Sequence, residues 1–166
     1  VIDDKLITDA DGSKTVTATI TFSEAMNQTL APTITNNANT TLTNAVNGKW
    51  TSSTTYTIEY KVADVNVELA DVKFNVSGAK DLAGNTQTAV TDVTTGTKID
   101  TLAPTVSSVA ITSATGAENA TLNAGDVVTA TVIMSEATTV TGTPQLDLNI
   151  GGTTVQANYK AGSGTN

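Results

Sequence analysis

Almost all the chemistry open to this sequence lies in its carboxylates. Sixteen Asp and Glu stand against eight lysines, and there is no His, no Cys and no Arg. Without histidine no side chain has an ordinary pKa near neutrality. Without cysteine there is no thiolate nucleophile, no disulfide and no sulfur-ligated zinc. Two uses of carboxylates are left to weigh: a pair acting on a glycosidic bond, or a cluster holding a hard cation. The first needs two acids across a cleft, with aromatic platforms for sugar rings. The aromatics are Phe22, Trp50, Tyr56, Tyr60, Phe74 and Tyr159, nearly all on alternating positions that should face a core. The chain therefore reads as not an enzyme. Trp50 alone has a second reading, as an exposed ligand contact, beside the more ordinary one of core or sheet-edge packing.

The second use fits the residue types better. Calcium takes about 6 to 8 oxygens at roughly 2.3 to 2.6 Å, and Asp, Glu, Asn and backbone carbonyls supply them. With no His or Cys present, calcium is the best metal candidate. Extracellular modules bind it with Kd on the order of 0.1 to 1 mM, and at ten times Kd one site adds about 1.4 kcal/mol to folding. The opposing reading is that loops are acidic simply because they are wet. Asp9-Ala10-Asp11-Gly12 resembles the opening of a helix-loop-helix calcium loop, but the later ligands are missing and a strand follows. Four Asn-x-Ser/Thr sequons start at Asn27, Asn39, Asn75 and Asn119, about the number chance gives in a chain this rich in Asn, Ser and Thr.

What must position these acids is a set of strands. From Val16 to Phe22 every even residue is apolar and every odd one is Thr, the period of a strand with one wet and one buried face. Tyr56 to Val62, Val72 to Ser77, Leu146 to Ile150 and Val155 to Tyr159 alternate in the same way. Asn47-Gly48 and Gly151-Gly152 read as tight hairpin turns. No window of helical length carries a 3.6-residue apolar stripe, and one turn over Val67 to Val72 is the most helix expected. Thirty-five threonines supply a neutral polar surface where charges, at 14%, are few. The formal charge of -8 and the lack of Arg argue against nucleic acid as a partner. Ordinary hydrophobicity argues against disorder. No apolar run approaches the roughly 20 residues that cross a bilayer, so direct membrane insertion is not expected.

Val16 to Ala25, VTATITFSEA, returns as Val128 to Ala137, VTATVIMSEA. Identity through Ser-Glu-Ala, beyond the strand, points to duplication and hence two related domains. Residues 1 to 99 carry about seven strands, enough for an antiparallel sandwich. Residues 100 to 104 form a short Pro-containing linker, extended and semi-rigid. Residues 105 to 166 supply about four strands, the front part of a second sandwich. The fold expected is all-β, tandem immunoglobulin-like sandwiches with the second incomplete. The start at Val1 without Met marks a piece of something longer, and either the chain stops early or another chain completes the open edge.

Phe22-Ser23-Glu24-Ala25, Asp81-Leu82-Ala83-Gly84-Asn85 and Asp100-Thr101-Leu102-Ala103-Pro104 resemble the bacterial Ig-like repeats of large surface adhesins, which show F-S-E at a strand end, a late D-x-A-G-N turn and a D-x-x-A-P junction. The resemblance implies extracellular stalk domains on a bacterial cell surface, secreted as in Gram-negative species and often exported unfolded. Neighbouring repeats would be the partners, and calcium would stiffen the joints. The chain departs from the pattern where Met134 replaces Phe and where the second D-x-A-G-N turn is absent.

In a seven-strand sandwich successive loops alternate between two ends. Glu24, Asp81 and Asn85 should therefore gather near Asp3 and Asp4 where the chain comes in. Asp9 and Asp11 should lie at the other end with Asp64, Glu68, Asp71 and the exit, where Asp100 leads toward Glu136 of the second domain. Crowded carboxylates repel, and a divalent cation relieves that strain. The candidate calcium ligands are thus Asp3, Asp4, Asp9, Asp11, Glu24, Asp81, Asn85, Asp100 and Glu136. The function expected is a non-catalytic spacer. The rival is a module recognising carbohydrate or a host protein through exposed loops and Trp50.

Overall fold

The computed structural model describes residues 1–119 and 121–166. The described residues are all-β apart from one 3-10 turn, Asp9–Asp11. They divide into two compact units, Val1–Leu102 and Ala103–Asn166.

The first unit holds nine strands: β1 (Leu6–Thr8), β2 (Thr15–Thr21), β3 (Thr33–Asn36), β4 (Leu42–Trp50), β5 (Thr55–Val62), β6 (Glu68–Leu69), β7 (Lys73–Ser77), β8 (Val90–Thr94) and β9 (Lys98–Asp100). They form three small sheets, β2-β5-β4, β3-β7-β8 and β1-β9-β6, all antiparallel except for the pair β1 and β9. This arrangement is consistent with a β-sandwich. The alternation read from the sequence sets which faces are inside: Val16 and Ala18 of β2, Tyr56, Tyr60 and Val62 of β5, and Phe74 and Val76 of β7 are buried. One core cluster joins Ile2, Ile7, Val16, Ala18, Leu42, Tyr60, Val62, Val72, Phe74 and Ile99.

The opening segment changes sheets. Ile2 bridges to Ala18 of β2, and four residues later Leu6, Ile7 and Thr8 run parallel to Lys98, Ile99 and Asp100. The last strand changes sheets as well, from β8 to β9 across Thr95-Gly96-Thr97, where Gly96 takes a φ of +70°. Buried threonine hydroxyls hold that crossing. Thr95 Oγ1 donates to the Val72 carbonyl at 2.8 Å and Thr97 Oγ1 to the Asp4 carbonyl at 2.7 Å. Thr101 Oγ1 accepts the Val67 amide at 3.1 Å. Threonine is therefore more than surface coating here; its hydroxyl satisfies backbone groups that a buried crossing would otherwise orphan.

The second unit holds two hairpins, β10 (Val106–Thr115) with β11 (Val127–Met134), and β12 (Gln145–Ile150) with β13 (Thr153–Asn158). Gly151-Gly152 is the expected hairpin turn, with φ of +59° and +86°. None of the unit's described residues is buried, in contrast to the first unit.

Three local expectations need correction. The helical turn falls at Asp9–Asp11, and Val67 to Val72 instead carries β6, which pairs with β9. Asp100 and Thr101, expected in the linker, are tied into the first unit: Asp100 ends β9, and the Thr101 amide donates to the Val67 carbonyl at 2.9 Å. Asn47-Gly48 is no hairpin turn. It sits inside β4, where register shifts flank Val46 and Asn44 and Asn47 adopt φ of 48° and 53°.

Gly48 is required there by a neighbour. A Cβ at this position would lie 2.3 Å from the Tyr56 hydroxyl and 3.2 Å from Cζ. Tyr56 is buried and its ring meets Trp50 edge-on at 5.3 Å, so the phenol cannot swing away. Gly48→Ala should cost about 1 to 3 kcal/mol in urea unfolding, as overpacking does. Adding Tyr56→Phe, which removes the clashing oxygen, should recover part of that loss; equal stability of wild type and Gly48→Ala would refute the contact.

Candidate functional site

The nine candidate ligands do not sort as the sequence suggested. Glu24, Asp81 and Asn85 do share one place, a cleft of about 540 Å³ that they line together with Phe22, Met26, Phe74, Val76, Val90 and Val93. Asp3 and Asp4 are not with them. They line a second, shallower hollow with Asp11 and Lys14. The cause is the early sheet change: the chain comes in beside Thr19 and has already run along β2 by the time it reaches Asp3, whose amide donates to the Thr17 carbonyl.

Four of the eight candidate carboxylates, Asp3, Asp4, Asp11 and Asp81, accept backbone amides. Asp3 Oδ1 accepts the Thr17 amide at 2.9 Å and Asp4 Oδ1 the Leu6 amide at 3.0 Å. Asp11 Oδ2 accepts both the amide and the hydroxyl of Thr8, at 2.9 and 3.0 Å, and Oδ1 pairs with Lys14 Nζ at 2.7 Å. Asp64, Asp71 and Asp126 accept amides from Asn66, Gly96 and Asn123 in the same manner. Short acidic side chains do this wherever a turn leaves an N–H unpaired.

The Asp81 to Asn85 turn is closed on itself. Asp81 Oδ1 accepts the Asn85 amide at 2.8 Å, and Oδ2 accepts Asn85 Nδ2 at 2.7 Å. Gly84 takes a φ of +94°, which explains a glycine at this place in the motif. The Asn85 side chain, and then the amides of Asn85, Ala83 and Gly84, hold the Asp81 carboxyl below its ordinary pKa.

The exit end is different. Glu68 and Asp100 stand directly opposite each other on β6 and β9, with Thr8 in register with Asp100 on the far side. Like charges at that spacing destabilise a sheet unless something compensates them. Asp9 begins the 3-10 turn that follows Thr8. Glu136 belongs to the second unit, half-buried after β11, where its carbonyl accepts the Thr138 hydroxyl. Among the described residues no three acids converge closely enough to hold a metal ion by carboxylates alone. The pair Glu68 and Asp100 was missed as a pair because neither two-residue β6 nor three-residue β9 carries an alternation to read.

Trp50 is half-buried between Phe22, at 5.2 Å, and Tyr56, and its indole N–H donates to the Leu30 carbonyl at 3.0 Å. That is the sheet-edge packing role, with the polar handle already used. Comparisons with protein-family models, with curated proteins and with solved structures gave no match.

The Asp11 contacts have a pH signature. The Lys14 ammonium beside it, followed by the Thr8 amide and hydroxyl, lower its pKa from 3.8 to about 2. A lowered folded-state pKa contributes stability that is full above the unfolded value and is lost as pH falls through the folded one. Asp11→Asn should therefore destabilise the first unit at neutral pH by about 0.5 to 1 kcal/mol, at the low end of cap effects because Lys14 is solvent-screened. The difference from wild type should shrink between pH 4 and pH 2. Urea unfolding at a series of pH values measures this, and a pH-independent difference would contradict it.

Proposed function

We propose that this chain is a non-catalytic spacer from a bacterial cell-surface adhesin, built of tandem immunoglobulin-like sandwiches and bearing tension between its neighbours in an extracellular stalk. The observation that carries this reading is the parallel pair β1 and β9. Leu6, where the chain enters β1, lies beside Lys98, and Asp100, where it leaves β9, lies beside Thr8. Tension along the chain then runs in opposite directions along two neighbouring strands and loads their hydrogen bonds together, in shear, instead of one at a time.

Ile7 and Ile99, directly opposite in this pair, are 0% and 1% exposed, so the same load must also break the core. The sheet changes at both ends of the first unit support the immunoglobulin-like topology: the first segment begins on β2 and finishes on β9, and the last strand passes from β7's sheet to β1's. The duplication of VTATITFSEA supports a tandem array. The acidic, threonine-rich, histidine-free composition suits a surface that stays soluble and avoids nonspecific contact.

Calcium enters this proposal at the domain ends, and its support is the uncompensated pair Glu68 and Asp100 together with the excess of acids. It is separable from the mechanical part. A calcium titration followed by calorimetry should raise the melting temperature of wild type by a few degrees, as about 1.4 kcal/mol does for a domain of this size. Glu68→Gln/Asp100→Asn should show a smaller rise. Identical melting in calcium and in chelator would remove the ion from the account while leaving the spacer.

The mechanical part is read by single-molecule force spectroscopy. Pulled from its chain ends, the first unit should resist a markedly higher force than when pulled through cysteine handles at Thr21 and Thr55, a register pair at one end of the β2 and β5 ladder that opens by peeling. Ile7→Ala, a loss of about 2 to 5 kcal/mol in the core, should lower the first force more than the second. Equal forces in the two geometries would contradict the shear reading.

A further inference from the structure

One dipeptide of the first unit is placed for a reaction that needs only water. Of the fourteen asparagines in the chain, Asn47 alone precedes a glycine. An asparagine loses its side-chain amide when the next backbone nitrogen reaches its Cγ, and a Cβ on that next residue stands in the way. Glycine has none, so the backbone can approach closely. Position 48 is held to glycine by a neighbour, because a Cβ there would strike the hydroxyl of the buried Tyr56. Core packing therefore keeps the reactive pair in place.

The local structure leaves that pair open to the reaction. A regular strand would hold both residues extended and in register with a partner each. Here Val46 pairs with Glu59 and Lys49 with Thr57, so Asn47 and Gly48 together stand opposite Ile58 alone. This is a bulge, in which the extra residue drops out of the ladder. Asn47 takes a φ of 53°, in the left-handed region. Both residues are exposed and β4 is the outer strand of its sheet, so water reaches the amide and ammonia can leave.

We infer that Asn47 is a self-modification site, a slow deamidation centre that turns its contact with Glu59 from attraction to repulsion. The Gly48 nitrogen, its proton taken by hydroxide, attacks Asn47 Cγ. The new C–N bond forms, the Cγ–Nδ2 bond breaks, and Nδ2 takes a proton from water and leaves as ammonia. Water then opens the cyclic imide at one carbonyl or the other, leaving an aspartate or an isoaspartate at position 47. The sum is one water consumed and one ammonia released, with no oxidant, reductant or cofactor.

The product acts on the sheet through the contact that Asn47 already makes. Its Nδ2 donates to Glu59 Oε2 at 2.7 Å. A carboxylate in that place meets Glu59 with like charge, which destabilises the pairing of neighbouring strands. An isoaspartate also lengthens the main chain by one carbon just before Gly48 and displaces that residue from the space beside Tyr56. The strand affected is β4, which ends at Trp50, the chain's only tryptophan. The inference does not depend on calcium or on the spacer reading.

The test is peptide mapping by mass spectrometry after the intact folded chain has been kept at neutral and at mildly alkaline pH, with Asn44 as the internal control. Asn44 lies in the neighbouring bulge of the same strand, is exposed and has a φ of 48°, but precedes Ala45. The amide-to-acid mass gain, with isoaspartate among the products, should appear at Asn47 about tenfold or more faster than at Asn44, since small displacements spoil an attack geometry. It should be faster at the higher pH. Asn47→Asp stands in for one product: it should lower the urea midpoint read by Trp50 fluorescence, and Glu59→Gln should remove most of that loss. Overturning results are no conversion at Asn47, equal rates at Asn47 and Asn44, a midpoint for Asn47→Asp equal to that of wild type, or a loss that is unchanged by Glu59→Gln.

Discussion

The first unit depends on one contact, the parallel meeting of Leu6-Ile7-Thr8 with Lys98-Ile99-Asp100. Each of these strands is three residues long and could not persist alone. What fixes them is the burial of Ile7 against Ile99 inside the common core, worth about 2 to 3 kcal/mol for each side chain. Around it the backbone is stitched by Thr97 to Asp4, Lys98 to Lys5 and Thr101 to Val67. The same contact joins the first and last strands of the unit side by side. Stability and topology therefore come from a single place, the one on which the proposed response to tension rests.

The carboxylates take on a double character in this light. Asp3, Asp4, Asp11 and Asp81 shape turns by accepting amide hydrogens, and a turn acid so engaged has fewer lone pairs left for an ion. Glu68 and Asp100 accept no such amide among the described residues and face each other across β6 and β9, the second of which also pairs with β1. In the proposed spacer this register pair is where an ion would act on β9.

Much of the fold was legible because alternation is unambiguous where a strand is long and half-buried: β2, β5, β7, β12 and β13 stand where their patterns put them. The short strands were not legible. Lys98-Ile99-Asp100 has one apolar residue and Glu68-Leu69 another, and their identity as strands is conferred by partners about 30 to 90 residues away in sequence. Asn47-Gly48 misled because a glycine needed for the Tyr56 hydroxyl looks the same as one needed for a turn. The acids were divided correctly in part. Glu24, Asp81 and Asn85 line one cleft, as loop alternation requires, while Asp3 and Asp4 were displaced by the early crossing from β2 to β9, which leaves no periodic mark.

Native-state hydrogen exchange tests the central contact most directly, read at the amides of Lys98 and Thr101 and compared with those of β2 and β5. The account predicts that Lys98 and Thr101 exchange only with global unfolding of the first unit, with the same free energy and the same denaturant dependence as the β2 and β5 amides. Exchange at Lys98 and Thr101 through a low-energy local opening, while β2 and β5 stay protected, would show that the terminal pair is a frayed edge and contradict it.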